Sequence, residues 1–341
     1  MRSLRVGVAA GLLLSSAVWA AERGEPERRF AFHYGATVTG LSPGQVAHVW
    51  LPVPSTNEDQ TVEVLEVPEG AQAGADKKYG NRMVYLERAA AADGTVTLAC
   101  DYRVQRRQVT GAGPEKGRAA EEAKGFLQAD AKVPVGGKSL TLLAGKTLPQ
   151  DPLKLGRLLY DVVDDHMTYR KDQPGWGTGD ADWACDSKFG NCTDFHSLFI
   201  SMARAEGLPA KFEMGFLVGP ATKGEAANVP GYHCWAKFKP PGKDWVPVDI
   251  SEANQHPVER DLNFGTLTAN RVMFSVGRDL TLSPPQAGGP LNFFIYPYVE
   301  VEGKVWPQEK ITKAFSYEDG SSPGRAGAAT KPSAKDSPAE R

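Results

Sequence analysis

Cys192 lies in the run Gly190-Asn191-Cys192-Thr193-Asp194-Phe195-His196, and Gly231-Tyr232-His233-Cys234-Trp235 and Trp245-Val246-Pro247-Val248-Asp249 follow it along the chain. A thiol, an imidazole and a carboxylate are the parts of a nucleophilic centre. The imidazole takes the thiol proton, and the carboxylate orients the imidazole and stabilises its charged form. Phe195, Leu198, Phe199, Met202 and Ala203 recur at helical spacing, and Gly207 and Pro209 stop the run. The helix therefore begins near Asn191 to Thr193. Unpaired backbone N–H groups and the positive end of the helix dipole favour a thiolate there, and the same N–H groups can hold an oxyanion.

The other two residues need strands. Residues 232–238 and 244–250 read as strands joined by Lys239-Pro240-Pro241-Gly242-Lys243, a turn sequence. Antiparallel pairing centred on Pro241 sets His233 opposite Asp249, and a centre at Gly242 offsets them by two. Either way both side chains lie on one face of the sheet.

Together these stretches resemble the transglutaminase-like superfamily, a papain-like fold. The family pattern is a Gly-x-Cys helix start, a Gly-(Ile/Leu)-Pro-Ala turn, His-x-Trp and Trp-x-x-x-Asp. This chain has Gly190-Asn191-Cys192, Gly207-Leu208-Pro209-Ala210, His233-Cys234-Trp235 and Trp245 to Asp249. The resemblance covers roughly residues 150–255. It implies Cys192 as nucleophile, His233 as general base and acid, and Asp249 as the orienting residue, with no cofactor. It also implies a side-chain donor beside the Cys192 N–H. Trp183 is the upstream candidate, and Asn191 and Trp235 are further oxyanion or cleft candidates. Cys234 departs from the pattern, which commonly has a small residue there.

Other residues have plainer readings. Asp194 in the first helical turn complements the dipole, and His196 reads as a packed residue or one that supports a residue of the site. A zinc site from Cys185, His196 and Cys234 matches no common ligand spacing, and Asp180, Asp182 and Asp186 read as solvated acids rather than a calcium site. No metal is expected. Trp176 and Trp183 either line a cleft or anchor their loop. Cys185 and Cys234 are the expected disulfide, and Cys100 reads as a buried thiol in a strand. The absence of Cys-x-x-Cys argues against a redox role.

The 341 residues suffice for two domains. A formal net charge of −2 and no Lys/Arg-dense block argue against a nucleic-acid partner. Arg2 and Arg5 precede an apolar run and Ser15-Ser16-Ala17-Val18-Trp19-Ala20, which reads as a signal peptide cleaved near Ala20. The expected location is periplasmic or secreted, without stable membrane insertion. Alternating strands over residues 21–110, among them 29–38, 45–53, 61–67, 82–88 and 94–106, suggest a β-sandwich. Residues 111–150 read as a linker that partly docks on the following domain. A helix runs from Pro152 to His166, a long surface loop spans 175–190, and strands are expected at 210–218, 271–276 and 291–301. The fold class is thus α+β, an N-terminal sandwich followed by a transglutaminase-like domain over 151–316, with a disordered tail over 317–341. The expected function is cysteine-dependent chemistry on an amide bond of a protein or peptide, cell-wall peptide included. The competing reading is a non-enzymatic scaffold that presents its Trp-rich loop.

Overall fold

The computed structural model describes residues 26–111, 113–114, 123–222 and 224–320. The expected signal segment lies outside them, as does the chain beyond Gly320. Alternating apolar residues build the first sheet. In β1 (Glu27–Val38), Phe30, Phe32, Tyr34 and Ala36 are buried. β1 pairs with β6 (Val96–Arg107) and with β18 (Ile311–Asp319). The edges are β3 (Gln60–Glu66) and β11 (Ala227–Val229). The second sheet centres on β2 (Val46–Val53), between β5 (Arg82–Ala89) and β16 (Tyr298–Val301), with β4 (Gln72–Ala75) and β17 (Lys304–Val305) outermost. Apolar side chains of both sheets share one core.

The third sheet carries the site. Its order is β13 (Val246–Val248), β12 (His233–Phe238), β10 (Ala210–Leu217), β15 (Arg271–Val276), all antiparallel. Phe216 of β10 and Phe274 of β15 meet Phe32 of β1, with ring centroids 5.1 and 5.6 Å apart. This contact locks the third sheet onto the sandwich. Helix α1 (Pro152–His166) is capped by Asp151, whose carboxylate accepts the Lys154 N–H. Gly156 lets α1 close on β12, because a Cβ there would fall 2.3 Å from the Phe238 ring. Helix α2 (Ala181–Ser187) follows, and α3 (Cys192–Ala205) packs on β12, β10 and α1. Two short pairs complete the strands: β7 (Val109–Thr110) with β14 (Thr266–Leu267), and parallel β8 (Thr168–Tyr169) with β9 (Phe189–Gly190). The second brings the end of α1 beside Phe189 and Gly190, just before the Asn191 cap of α3.

Several expectations change. The 175–190 stretch is not all loop, because Asp180 accepts the Asp182 and Trp183 N–H groups and so starts α2. The linker region docks through 3₁₀ turns rather than as plain coil, at Lys124–Leu127 and Gly137–Leu143, the second packed on α2 and α3. Within 291–301 only β16 is a strand. The tail expected from 317 does not begin there. β18 runs to Asp319, with Tyr317 buried and Asp319 paired to Arg28 at 2.8 Å. The sandwich also extends beyond residues 21–110, since β11, β16, β17 and β18 complete its sheets.

Candidate active site

The start of α3 is fixed by a reciprocal cap. The Asn191 side chain accepts the Thr193 N–H (3.0 Å), and Asp194 accepts the Asn191 N–H (2.9 Å). Asp194 does more than complement the dipole. Its buried carboxylate also takes the N–H groups of Gly177 (2.6 Å) and Gly179 (2.9 Å), which pins the 175–179 loop to the helix start. Burial pushes Asp194 up to about 6, against the pull of those N–H donors. Gly190 makes this approach possible, since a Cβ there would sit 2.4 Å from an Asp194 oxygen. That is a physical reason for glycine two residues before the cysteine.

Cys192 is the first residue of α3 and 2% exposed. Its N–H stands in the first helical turn, where no intrahelical acceptor exists. His233 opens β12, and its Nε2 lies 2.8 Å from Asp249 Oδ2, leaving Nδ1 for Cys192. The register Ala236↔Val248 and Phe238↔Val246 centres the hairpin on Gly242, so His233 and Asp249 are offset by two. Asp249 is not a strand residue. It caps the short helix α4 (Ile250–Gln255), and its Oδ1 accepts from Glu252 N–H and Ser251 Oγ, both at 3.3 Å. Its Oδ2 also accepts from Arg271 Nη1 at 3.1 Å.

The electrostatics favour an ion pair. Burial alone would push the Cys192 thiol up. Hydrogen bonds from Cys234 and His233, with the His233 charge, bring it down to about 5. Burial would lower His233, but the Asp249 charge and hydrogen bond, together with Cys192, raise it to about 10. Burial opposes ionisation of Asp249 as well, yet the His233 and Arg271 charges hold it well below the carboxylate range. A thiolate facing an imidazolium is therefore the favoured state at neutral pH.

His196 is packed beneath this pair. Its Nε2 accepts the Ile250 N–H (3.1 Å), and its Nδ1 lies 3.6 Å from Cys234 Sγ. Burial lowers His196 to about 4, so it is neutral. The expected Cys185–Cys234 disulfide is absent, and both residues are free thiols. Their side chains have different partners: Cys185 donates to the Lys138 carbonyl (3.6 Å), whereas Cys234 faces Cys192 and His196.

The three cleft candidates separate. Trp183 packs edge-on against Phe189 (5.3 Å) and next to Gly175, which anchors the loop. Asn191 uses its backbone N–H and side-chain oxygen in the cap, and its Nδ2 donates to the Tyr232 hydroxyl (2.8 Å). Trp235 is 0% exposed and does not line a cleft. It shares the parity of His233, but the sandwich covers that part of the sheet. Its indole N–H donates to Glu213 (2.6 Å), with Arg106 and Arg271 over the ring. Asp180 is a helix cap, Asp182 accepts the Lys138 N–H (3.3 Å), and Asp186 pairs with Lys138.

Two neighbours escaped the sequence reading. Tyr232 joins the helix start through Asn191 and packs tilted against Phe293 (6.0 Å) and edge-on against Tyr296 (5.5 Å), giving the site an aromatic side. Its place beside His233 was a signal for it. Arg271 had none, because an arginine opening a strand is ordinary until β15 is known to lie beside β10.

The family model for the transglutaminase-like superfamily matches residues 143–250, the stretch that holds Cys192, His233 and Asp249. An uncharacterized protein of Haemophilus influenzae is 30% identical over 318 residues, covering 80% of this chain and 85% of that one. A candidate cysteine protease from Cytophaga hutchinsonii has a similar fold, with a TM-score of 0.53 and 16% identity, over 86% of this chain and 99% of that one. The periplasmic domain of TgpA from Pseudomonas aeruginosa aligns at a TM-score of 0.38 and 13% identity, over 70% of this chain and 92% of that one. The chain belongs to the transglutaminase-like superfamily.

Proposed function

We propose that this protein is a cysteine-dependent enzyme that acts on amide bonds outside the cytoplasm, with Cys192, His233 and Asp249 as its triad. The observation that carries this reading is the His233–Asp249 hydrogen bond at 2.8 Å beside a thiol that opens a helix. The Cys192 thiolate attacks the carbonyl carbon, and the new oxyanion takes the Cys192 N–H. His233, protonated at Nδ1, gives that proton to the leaving amine as the C–N bond breaks, and a thioester forms. His233 then removes a proton from water, which attacks the thioester. The acid departs and the thiolate returns. An amine in place of water gives transamidation. Hydrolysis is the favoured branch, since transfer in water needs a dedicated amine site.

The substrate class is a protein or peptide, cell-wall peptide included. The apolar N-terminal run behind Arg2 and Arg5 supports export. Among the described residues no helix is long and apolar enough to cross a membrane.

Mass spectrometry after incubation with a peptide library plus a primary amine tests the reading. Cleaved or deamidated peptides are expected, or amine adducts if transfer wins, together with an acyl adduct on Cys192. Equal product from Cys192→Ala would overturn it.

A further inference from the structure

Arg271 is not one of the three triad residues, yet it touches the triad. Its Nη1 lies 3.1 Å from the Asp249 oxygen that also binds His233. Arg271 is 2% exposed, and its guanidinium carbon lies 4.8 Å from the centre of the Trp235 ring. Its buried Nε has no hydrogen-bond partner among the described residues. The group is thus held by one stacked face and directed at one carboxylate oxygen. The sandwich holds its strand in place. Gln60 accepts the Met273 N–H (2.9 Å) and donates to the Met273 carbonyl (2.8 Å), two residues along β15. Arg106 Nη1 in turn donates to Gln60 (3.3 Å).

We propose that Arg271 is a positioning residue of the triad: it fixes Asp249 Oδ2 against His233 and offsets part of the carboxylate charge felt by the imidazole. The inference rests on the triad reading above. A fully uncompensated buried carboxylate would hold the imidazolium so firmly that it gives up its proton slowly. A shared carboxylate orients the ring and still lets the proton leave for the amine. The titratable groups around His233 and Asp249 are Cys192 and His196 from α3, Cys234 from β12, Glu252 from α4, Tyr160 from α1 and Tyr169 from β8. Arg271 brings a permanent positive charge to this set.

The test is the pH dependence of Cys192 alkylation by iodoacetamide, alongside kcat and KM, in wild type, Arg271→Gln and Arg271→Lys. The Gln variant keeps an N–H donor but no charge. Its upper alkylation limb, where the imidazolium loses its proton, is expected to move up by about one pH unit. Its kcat should fall at least tenfold, with KM within twofold of wild type. Arg271→Lys should keep the limb in place and lose less than half as much of kcat on a logarithmic scale. An unmoved limb and an unchanged kcat in Arg271→Gln would overturn the proposal. If the Gln variant does not fold, Arg271→Lys decides alone. A kcat measurably reduced at an unmoved limb supports directed positioning, and a wild-type kcat overturns it. A wild-type Cys192 with an ordinary thiol profile would instead sink the triad reading itself.

Discussion

Cys100 and Cys192 are both enclosed thiols, one in the sandwich and one at the site, and their chemistry is opposite. Cys100 lies in β6 opposite Tyr34 of β1. Burial pushes its thiol up to about 12, and the Tyr102 hydroxyl compensates only in part. Cys192 is as enclosed, yet it falls to about 5. Burial has the same sign at both places. The difference lies in what donates: at the site a neighbouring thiol, an imidazolium and a helix start face the sulfur, and in the sandwich one phenol does. Seclusion from water makes a thiol inert or reactive according to the charges enclosed with it.

The largest test of this contrast is deletion. Cys192→Ala is expected to reduce amide turnover by about 10³-fold or more, since the covalent step is lost. Cys100→Ala should leave turnover within twofold and instead lower thermal stability, by about 1–3 kcal/mol for a small buried group. Product analysis and a thermal melt of each variant check both. A Cys192→Ala protein with full turnover would erase the distinction.

Alkylation against pH reads the same contrast without a substrate. The Cys192 rate should rise through about pH 5, following thiolate formation. Cys100 should label only after unfolding. The linkage has a definite sign. The folded value for Cys192 lies below an ordinary thiol, so its ionisation adds stability above the ordinary thiol range, and that contribution is lost as pH falls through about 5. His233 is raised, so its contribution is complete below the ordinary imidazole value and is lost as pH rises through about 10. A Cys192 midpoint at the ordinary thiol value of about 8.5 would mean that its surroundings do no more than cancel the cost of burial.

The local parts of this site were legible in the chain. The apolar stripe from Phe195 and the stop at Gly207-Leu208-Pro209 located α3, because helix periods and caps are written in neighbouring residues. α1 and β15 were legible in the same way, since Pro152 and the apolar run after Arg271 mark their starts. The hairpin was legible to within one step. Pro-Pro-Gly announces a turn, but moving its centre from Pro241 to Gly242 shifts each partner by two and leaves the faces unchanged. What escaped depends on distant chain. β18 pairs with β1 across nearly the whole sequence, and the cover over Trp235 comes from Arg106. Neither contact leaves a local period. The disulfide expectation failed for a related reason: cysteine number and compartment say nothing about where each Cβ points.

Cys234 sharpens the contrast at its finest scale. It is the second enclosed thiol that faces Cys192. Burial and the Cys192 charge push it far up, so it stays protonated and can donate. Its sulfur is itself held 3.6 Å from His196 Nδ1, and His196 is locked by the Ile250 N–H on its other side. In the neutral ring that bond leaves Nδ1 as the proton-bearing nitrogen, aimed at sulfur. Removing the thiol takes one donor from the thiolate and leaves His233 and the helix start in place. Cys234→Ala should therefore raise the Cys192 alkylation midpoint by about one pH unit, roughly the worth of one hydrogen bond to a charged group. Cys234→Ser restores a donor of similar size and should return most of that shift. Equal midpoints in wild type and Cys234→Ala would mean that the imidazolium and the helix start alone separate Cys192 from Cys100.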